Sequence, residues 1–147
     1  MAYWIAFIKS SLFYSVFDYH CYAMISLYDT TGQPVVYVDP ACQGLYDAAG
    51  RLIGWFEEEL LYATNGRYLG WMHQGWVYDR AGNPALFTAT ATGGPRRPAV
   101  DTSQPTPCYW LQRATPRRTA TRRKARPARR RRATSWSALS GPAYFAQ

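Results

Sequence analysis

Between Leu27 and Phe87, apolar positions come in short bursts separated by turn-type clusters that recur every 16 to 18 residues. Four segments superimpose without gaps: Leu27-Tyr28-Asp29-Thr30-Thr31-Gly32, Leu45-Tyr46-Asp47-Ala48-Ala49-Gly50, Leu61-Tyr62-Ala63-Thr64-Asn65-Gly66 and Val77-Tyr78-Asp79-Arg80-Ala81-Gly82. The tyrosines stand 18, 16 and 16 residues apart, and so do the glycines. After each glycine an aliphatic residue follows at the third position (Val35, Ile53, Leu69, Ala85) and an aromatic one at the fifth (Tyr37, Trp55, Trp71, Phe87). Agreement of this kind marks an internal repeat. Spacing of two is a strand signal, whereas a helix needs 3.6. It predicts Ile53 and Trp55 on one strand face, and Leu69 and Trp71 likewise.

Each copy reads as a hairpin. Asp at the first turn position and Gly at the fourth suit a type I turn whose glycine enters a bulge with positive φ. The Asp carboxylate accepts from the backbone two residues on, and glycine adopts positive φ without a Cβ clash. Turns are thus predicted at residues 29–32, 47–50, 63–66 and 79–82. The third copy has Ala63 in place of Asp but gains Asn65-Gly66, which favours a tight hairpin by another route. The inner copies carry Gly54-Trp55 and Gly70-Trp71, and glycine before Trp implies that a neighbouring ring or backbone lies against the missing side chain. The outer copies carry Pro34 and Pro84 instead, residues suited to a strand start or an edge. Outer copies therefore look like the ends of a short array.

One hairpin cannot bury a hydrophobic face, so four must share one. A radial arrangement closes the array and protects its edges. The expected fold is all-β: four short hairpins arranged radially, with the four aliphatic and four aromatic side chains at the centre. The structural positions are Tyr28, Gly32, Tyr46, Gly50, Trp55, Tyr62, Gly66, Trp71, Tyr78 and Gly82.

The pattern Leu-Tyr-Asp-x-x-Gly-Arg-x-Ile/Leu-Gly-Trp, carried in full by the second of the four copies and in part by the others, resembles the four-fold beta flower family of bacterial proteins over about residues 24–90. The resemblance implies hairpin petals radiating from a shallow barrel. It brings no catalytic residues to carry onto this chain. A basic tail that ends in a Trp-Ser and aromatic motif is similar to that of some members. Residues Tyr-Asp-x-x-Gly-Arg-Leu also resemble the YD repeats of large bacterial shell proteins, but those repeats are longer and come in dozens, so a shell function does not transfer to four copies.

Charge divides the chain. The net charge of +8 is the sum of none over residues 1–25, −4 over 26–90 and +12 over 91–147. The chain is read as an N-terminal extension (1–23), the repeat domain (24–90), a disordered Pro/Arg-rich tail (91–135) and a short apolar motif (136–147). In residues 1–23, Trp4, Ile8, Leu12 and Val16 share one helical face. There is no basic n-region or clean cleavage site, so a secretory signal is not expected. A packing element, an over-extended start and an interfacial membrane anchor are the readings left open. The expected location is cytoplasmic, with membrane association as the variant. Arg117, Arg118, Arg122, Arg123, Lys124, Arg126, Arg129, Arg130, Arg131 and Arg132 form a dense cationic run. Such a run binds phosphates with little sequence preference, and a tolerated linker is the competing reading. Trp136, Leu139, Tyr144 and Phe145 could dock on their own domain or on a partner.

Chemistry is sparse. Three cysteines and two histidines at these spacings supply neither a metal cage nor a disulfide framework. No cofactor, metal or catalytic residue is assigned. Cys42 lacks a positioned base, Glu57-Glu58-Glu59 reads as solvent-facing charge, and His73 is the sole general-base candidate of a small-enzyme reading that ranks last. Ahead of it stand a non-catalytic module that binds a protein or lipid surface, and a nucleic-acid-associated protein that uses its arginine tail. The acidic repeat domain favours the first of these.

Overall fold

A computed structural model describes residues 24–40, 42–106 and 132–147. Eight strands run in chain order: β1 (Ile25–Tyr28), β2 (Pro34–Val38), β3 (Gly44–Tyr46), β4 (Leu52–Glu57), β5 (Leu60–Ala63), β6 (Tyr68–His73), β7 (Trp76–Asp79) and β8 (Pro84–Phe87). Each pairs antiparallel with the next, and β8 returns to β1, so the sheet is a closed barrel. The fold is all-β, built from four radial hairpins. The only helix among the described residues is a 3-10 segment, Gly141–Ala146.

The four petal turns lie where the repeat puts them. Gly32, Gly50, Gly66 and Gly82 have φ between 81° and 93°, and each donates its amide to the carbonyl three residues back at 2.9–3.0 Å. The Asp29, Asp47 and Asp79 carboxylates accept from the amides two and four residues on at 2.9–3.1 Å. The third turn is not built by another route, as expected from Asn65-Gly66. It is the same turn, and the Asn65 Oδ1 accepts the Arg67 amide at 2.9 Å in place of the missing Asp.

A β-bulge follows every petal turn and overturns one expectation. Leu27 faces Val36 while Tyr28 faces Pro34, so Val35 is an extra residue on its strand. The same shift makes Ile53, Leu69 and Ala85 the extra residues of the other three hairpins. A bulge sets two residues against one and interrupts the period of two. Leu69 therefore joins the barrel core while Trp71 turns to the opposite face, into a second cluster with Tyr28, Trp76, Tyr78 and Phe87. The four aromatics are not at the centre.

The centre belongs instead to the Leu of the Leu-Tyr-Asp triplet and the residue it faces. The pairs are Leu27↔Val36, Leu45↔Gly54, Leu61↔Gly70 and Val77↔Leu86, one within each hairpin. On the opposite face the fifth-position aromatic of each copy pairs with the tyrosine of the next copy. These pairs are Tyr37↔Tyr46, Trp55↔Tyr62 and Trp71↔Tyr78, and Phe87↔Tyr28 closes the ring. Trp55 stacks on Tyr62 and Trp71 on Tyr78 at centroid distances of 6.2 and 5.4 Å. Aliphatic pairs in the outer hairpins, and leucine facing glycine in the inner two, thus form each hairpin's inner face, and aromatic pairs join hairpin to hairpin. Stacks of this sort contribute roughly 0.5–1.5 kcal/mol beyond the area they bury.

Phe87↔Tyr28 is the only ladder pair between β8 and β1. The segment after β8 runs across this seam. The Thr92 amide donates to the Gln74 carbonyl at 3.0 Å and the Asp101 amide to the Gly32 carbonyl at 2.8 Å. Val100 packs on the Tyr28–Trp76–Phe87 cluster, and the Trp76 indole donates to the Thr92 carbonyl at 3.1 Å. Residues 91–106, read above as the start of a disordered tail, are among the described residues and make these backbone hydrogen bonds and this packing on Trp76. Residues 1–23 and the run Arg117–Arg131 lie outside the described residues.

The C-terminal arm docks on its own barrel. The Ala133 amide donates to Gly82 and the Ser137 amide to Pro84, at 2.9 and 2.8 Å. The Ser137 hydroxyl donates to the buried Asp79 carboxylate at 2.5 Å. Trp136 lies edge-on to Trp76 and Phe87. Tyr144, fully buried, completes the barrel core.

Candidate functional site

The two ends of the barrel differ. At the petal-turn end, the 3-10 segment seals the core. Its Tyr144 ring enters over Gly70, where a Cβ would overlap both the Tyr144 hydroxyl and the Tyr78 carbonyl oxygen. Ser140 meets Thr30 on the first petal turn, while Arg67 and Arg80 donate to Gln147. The reading of glycine before Trp holds at both inner copies. At Gly54 a Cβ would collide with the Tyr62 carbonyl oxygen.

At the other end the strands are joined by tight connectors. Gln74-Gly75 links β6 to β7 with both residues at positive φ, 50° and 82°. Glu58-Glu59 links β4 to β5, with Glu58 at φ 56°. The connector after β2 ends at Gln43, φ 59°, whose carbonyl accepts the Phe56 amide at 2.8 Å. No part of the described chain plugs this mouth as Tyr144 plugs the other end. A cavity of about 340 Å³ opens here.

Strand alternation supplies its floor. Two residues beyond the core positions Val36, Gly54 and Gly70 come Val38, Phe56 and Met72, whose side chains point to the same face of the sheet. All three line the cavity, and Val38 and Phe56 are also members of the barrel core. Ile25, opposite Val38 on β1, forms the lip. It is the one large hydrophobic residue exposed among the described residues, at 43%. The rim carries Asp39, Glu58, Glu59 and His73. A second cavity of about 530 Å³, under Thr88, Thr90 and Thr106, shares Ile25, Met72 and Gly75 with the first.

The structure therefore gathers His73 and two residues of the Glu57-Glu58-Glu59 triplet at one mouth, a meeting the sequence positions do not reveal. Cys42 is half-buried, with its sulfur 3.8 Å from the Tyr46 hydroxyl. No group of three His, Cys, Asp or Glu side chains that could hold a metal ion is found among the described residues. The petal tips are polar and well satisfied. Desolvation raises the Asp47 carboxyl, but hydrogen bonds from the Arg51 amide and guanidinium and the guanidinium charge outweigh it and hold it below the ordinary value. Arg51 Nε and Asp47 Oδ2 are 2.7 Å apart. Of the cationic run, Arg132 alone is described, and it is exposed.

Sequence reasoning missed Ile25 and Met72 as site residues, and Tyr144 as the opposite plug. Alternation of Ile25 with Leu27 was the available signal for the lip. Met72 required knowing that the bulge at Leu69 reverses the faces of β6.

No curated protein and no solved structure matches the chain. A family model described as 4-fold beta flower protein matches residues 25–145, so it takes in the C-terminal arm as well as the hairpins. That span is most of the 147 residues, and the chain belongs to the 4-fold beta flower protein family.

Proposed function

We propose that the protein is a non-catalytic binding module whose ligand is a short apolar segment of another protein, docked in the open mouth of the barrel. The observation that carries this reading is Ile25. It is 43% exposed on the lip of a cavity that leads onto the core residues Val38 and Phe56. An exposed apolar lip over a concave apolar floor, rimmed by polar groups, is the ordinary form of a recognition site. The petals suit the role less well, because their tips present Thr31, Ala48, Ala49, Thr64 and Asn65 and no large apolar side chain.

The rim also bears on the class of partner. The exposed Glu58 and Glu59 place negative charge at the mouth, which opposes the anionic phosphates of nucleic acids and acidic lipids. His73 stands on the same rim as a single imidazole. A single proton-transfer group without further groups in named roles does not make a reaction class, and it serves here as part of the polar border.

The test is selection of peptides of about ten residues from a random library on the full-length chain. Apolar consensus peptides are expected, with binding lost in Ile25→Asp while the far-ultraviolet spectrum and melting temperature stay unchanged. Selected peptides that bind Ile25→Asp equally well, or that are displaced by duplex DNA or anionic vesicles through the arginine tail, would overturn the reading.

A further inference from the structure

We infer that the mouth is occupied from within the chain, by residues 13–22 of its N-terminal segment, so that a partner segment binds by displacing them. This rests on the proposed docking function and adds its regulation. The seam between β8 and β1 carries the argument. Neighbouring petal hairpins meet through four ladder pairs at β4–β5 and four at β6–β7, but through one at β8–β1. Past Phe87 the chain turns toward the β6–β7 connector: the Thr88 amide donates to Gly75 and the Thr92 amide to Gln74, at 2.9 and 3.0 Å. Among the described residues, no strand pairs with β1 on that side beyond Tyr28. The gap so left is the larger cavity, with Met24, Ile25 and Ser26 on one wall and Thr88, Ala89 and Thr90 on the other. It shares Ile25, Met72 and Gly75 with the apolar mouth, so an open strand edge and an apolar floor form one continuous site. An extended polypeptide satisfies both at once, because its backbone bonds to the edge while alternate side chains reach the floor.

Length and place of entry name the occupant. Residues 1–23 lie outside the described residues and join them at Met24, on the wall of that gap. Ten residues reach about 33 Å when extended, whereas eight strands about 4.8 Å apart close a ring only about 12–16 Å across. Composition matches the site. Of the 23 residues, 17 are apolar or aromatic, and Lys9 and Asp18 are the only charged ones. Phe17, Tyr19 and Cys21 alternate with Asp18 and His20, so an extended backbone presents the first three to one side and the polar pair to the other. Such an edge suits a cleft with an apolar floor and an open top. The opposite end of the barrel is closed in the same manner, by Tyr144 of the chain's own C-terminal arm. A segment tethered this near its site acts at about millimolar effective concentration. With a dissociation constant of about 0.1 mM, it holds the mouth about nine-tenths of the time and weakens any competing segment about tenfold.

The experiment compares the full-length chain with its full-length variant Phe17→Ser/Tyr19→Ser. The probe is a synthetic peptide of residues 13–22 with Ser in place of Cys21, and binding is followed by the Ile25 and Met72 methyl resonances. The peptide is expected to bind the variant about tenfold more tightly than the parent. A second measurement needs no added peptide. A nitroxide is attached at Ser11→Cys, with Cys21, Cys42 and Cys108 changed to Ser. It should broaden the Ile25 and Met72 methyls, leave those of Ala48 and Ala49 at a petal tip sharp, and lose its effect at the mouth in Phe17→Ser/Tyr19→Ser. Equal affinity of the peptide for parent and variant overturns the inference and leaves the docking function standing. Mouth methyls that stay sharp beside the nitroxide overturn it as well. So does broadening that vanishes on dilution with unlabelled chain, since the segment then docks on a second copy. If the peptide shifts the Ile25 methyl of neither protein, the inference falls, and the docking function then rests on the library-selected peptides alone.

Discussion

The Tyr144 hydroxyl donates a hydrogen bond to the Tyr78 carbonyl at 2.8 Å, 66 residues away in sequence, through the space left open by Gly70. The bond ties the C-terminal arm to the bulge of the fourth hairpin and satisfies a buried carbonyl. Tyr144 is 0% exposed, so its ring behaves as a core residue that the chain supplies last. Tyr144→Ala is expected to lower unfolding free energy by about 3–5 kcal/mol, the range for emptying a buried aromatic site. Tyr144→Phe keeps the ring and orphans the Tyr78 carbonyl, at a cost of about 1–3 kcal/mol. Urea denaturation of the three proteins measures both, and an unchanged midpoint in Tyr144→Ala would show that the arm does not close the barrel.

Gly70→Ala tests the other half of that relationship. The new Cβ would overlap the Tyr78 carbonyl oxygen and the Tyr144 hydroxyl, and forced overpacking costs about 1–3 kcal/mol. Because one of the two clashes is with Tyr144, removing that ring should relieve part of the cost. The double variant Gly70→Ala/Tyr144→Ala is therefore expected to be less destabilised than the sum of the single ones, by at least about 0.5 kcal/mol. Strict additivity would mean that the backbone clash alone decides.

The repeat period made the hairpins, their turns and the closed all-β fold legible, because Asp, Gly and the β-branched or aromatic positions act locally. What the local pattern could not convey is facing. A bulge at Val35, Ile53, Leu69 and Ala85 shifts each second strand by one residue, and a shift of one exchanges the two faces. Counting two residues from Leu69 to Trp71 thus placed both at the barrel centre, whereas only Leu69 is there and Trp71 is buried on the opposite face. The mouth depends on that facing, since Phe56 and Met72 reach it only after the bulge is taken into account. Its rim joins Asp39, Glu58 and His73, which no spacing in the chain connects. Tyr144 was invisible as a plug for a different reason: two aromatic residues after an arginine-rich stretch dock equally well on a partner, and only the cavity over Gly70 decides.

Trp55 and Trp71 are 5% and 2% exposed, each stacked on the tyrosine of the following repeat. Their emission should be blue-shifted and resistant to aqueous quenchers. Trp55→Ala removes the Trp55–Tyr62 stack that joins the second hairpin to the third and should destabilise by about 3–5 kcal/mol, a large share of the total for a domain of this size. Trp55→Phe retains a ring against Tyr62 and should recover more than half of that loss in thermal melts. Failure of Phe to rescue would shift the weight from stacking to volume.

Alkaline pH should loosen the same structure, with Tyr144 as a principal sensor. Burial raises its phenol well above the ordinary 10.0, the Tyr68 and Asp79 side chains push it further, and Arg80 opposes them. Burial also raises Tyr37, Tyr62 and Tyr78. In each case the folded chain holds the proton more tightly than the unfolded one. Their contribution is therefore complete below the unfolded value near 10 and is lost as pH rises through the higher folded values. Melting temperature should be level with respect to these groups between about pH 7 and 9 and then fall, each fully linked tyrosine contributing at most about 1.4 kcal/mol per pH unit. Tyr144→Phe starts from a lower stability at pH 8 but has one such proton fewer to lose, so its decline between pH 10 and 11.5 should be shallower than that of the parent. Parallel declines would remove Tyr144 from the set of linked groups and leave the alkaline transition to the tyrosines between the hairpins.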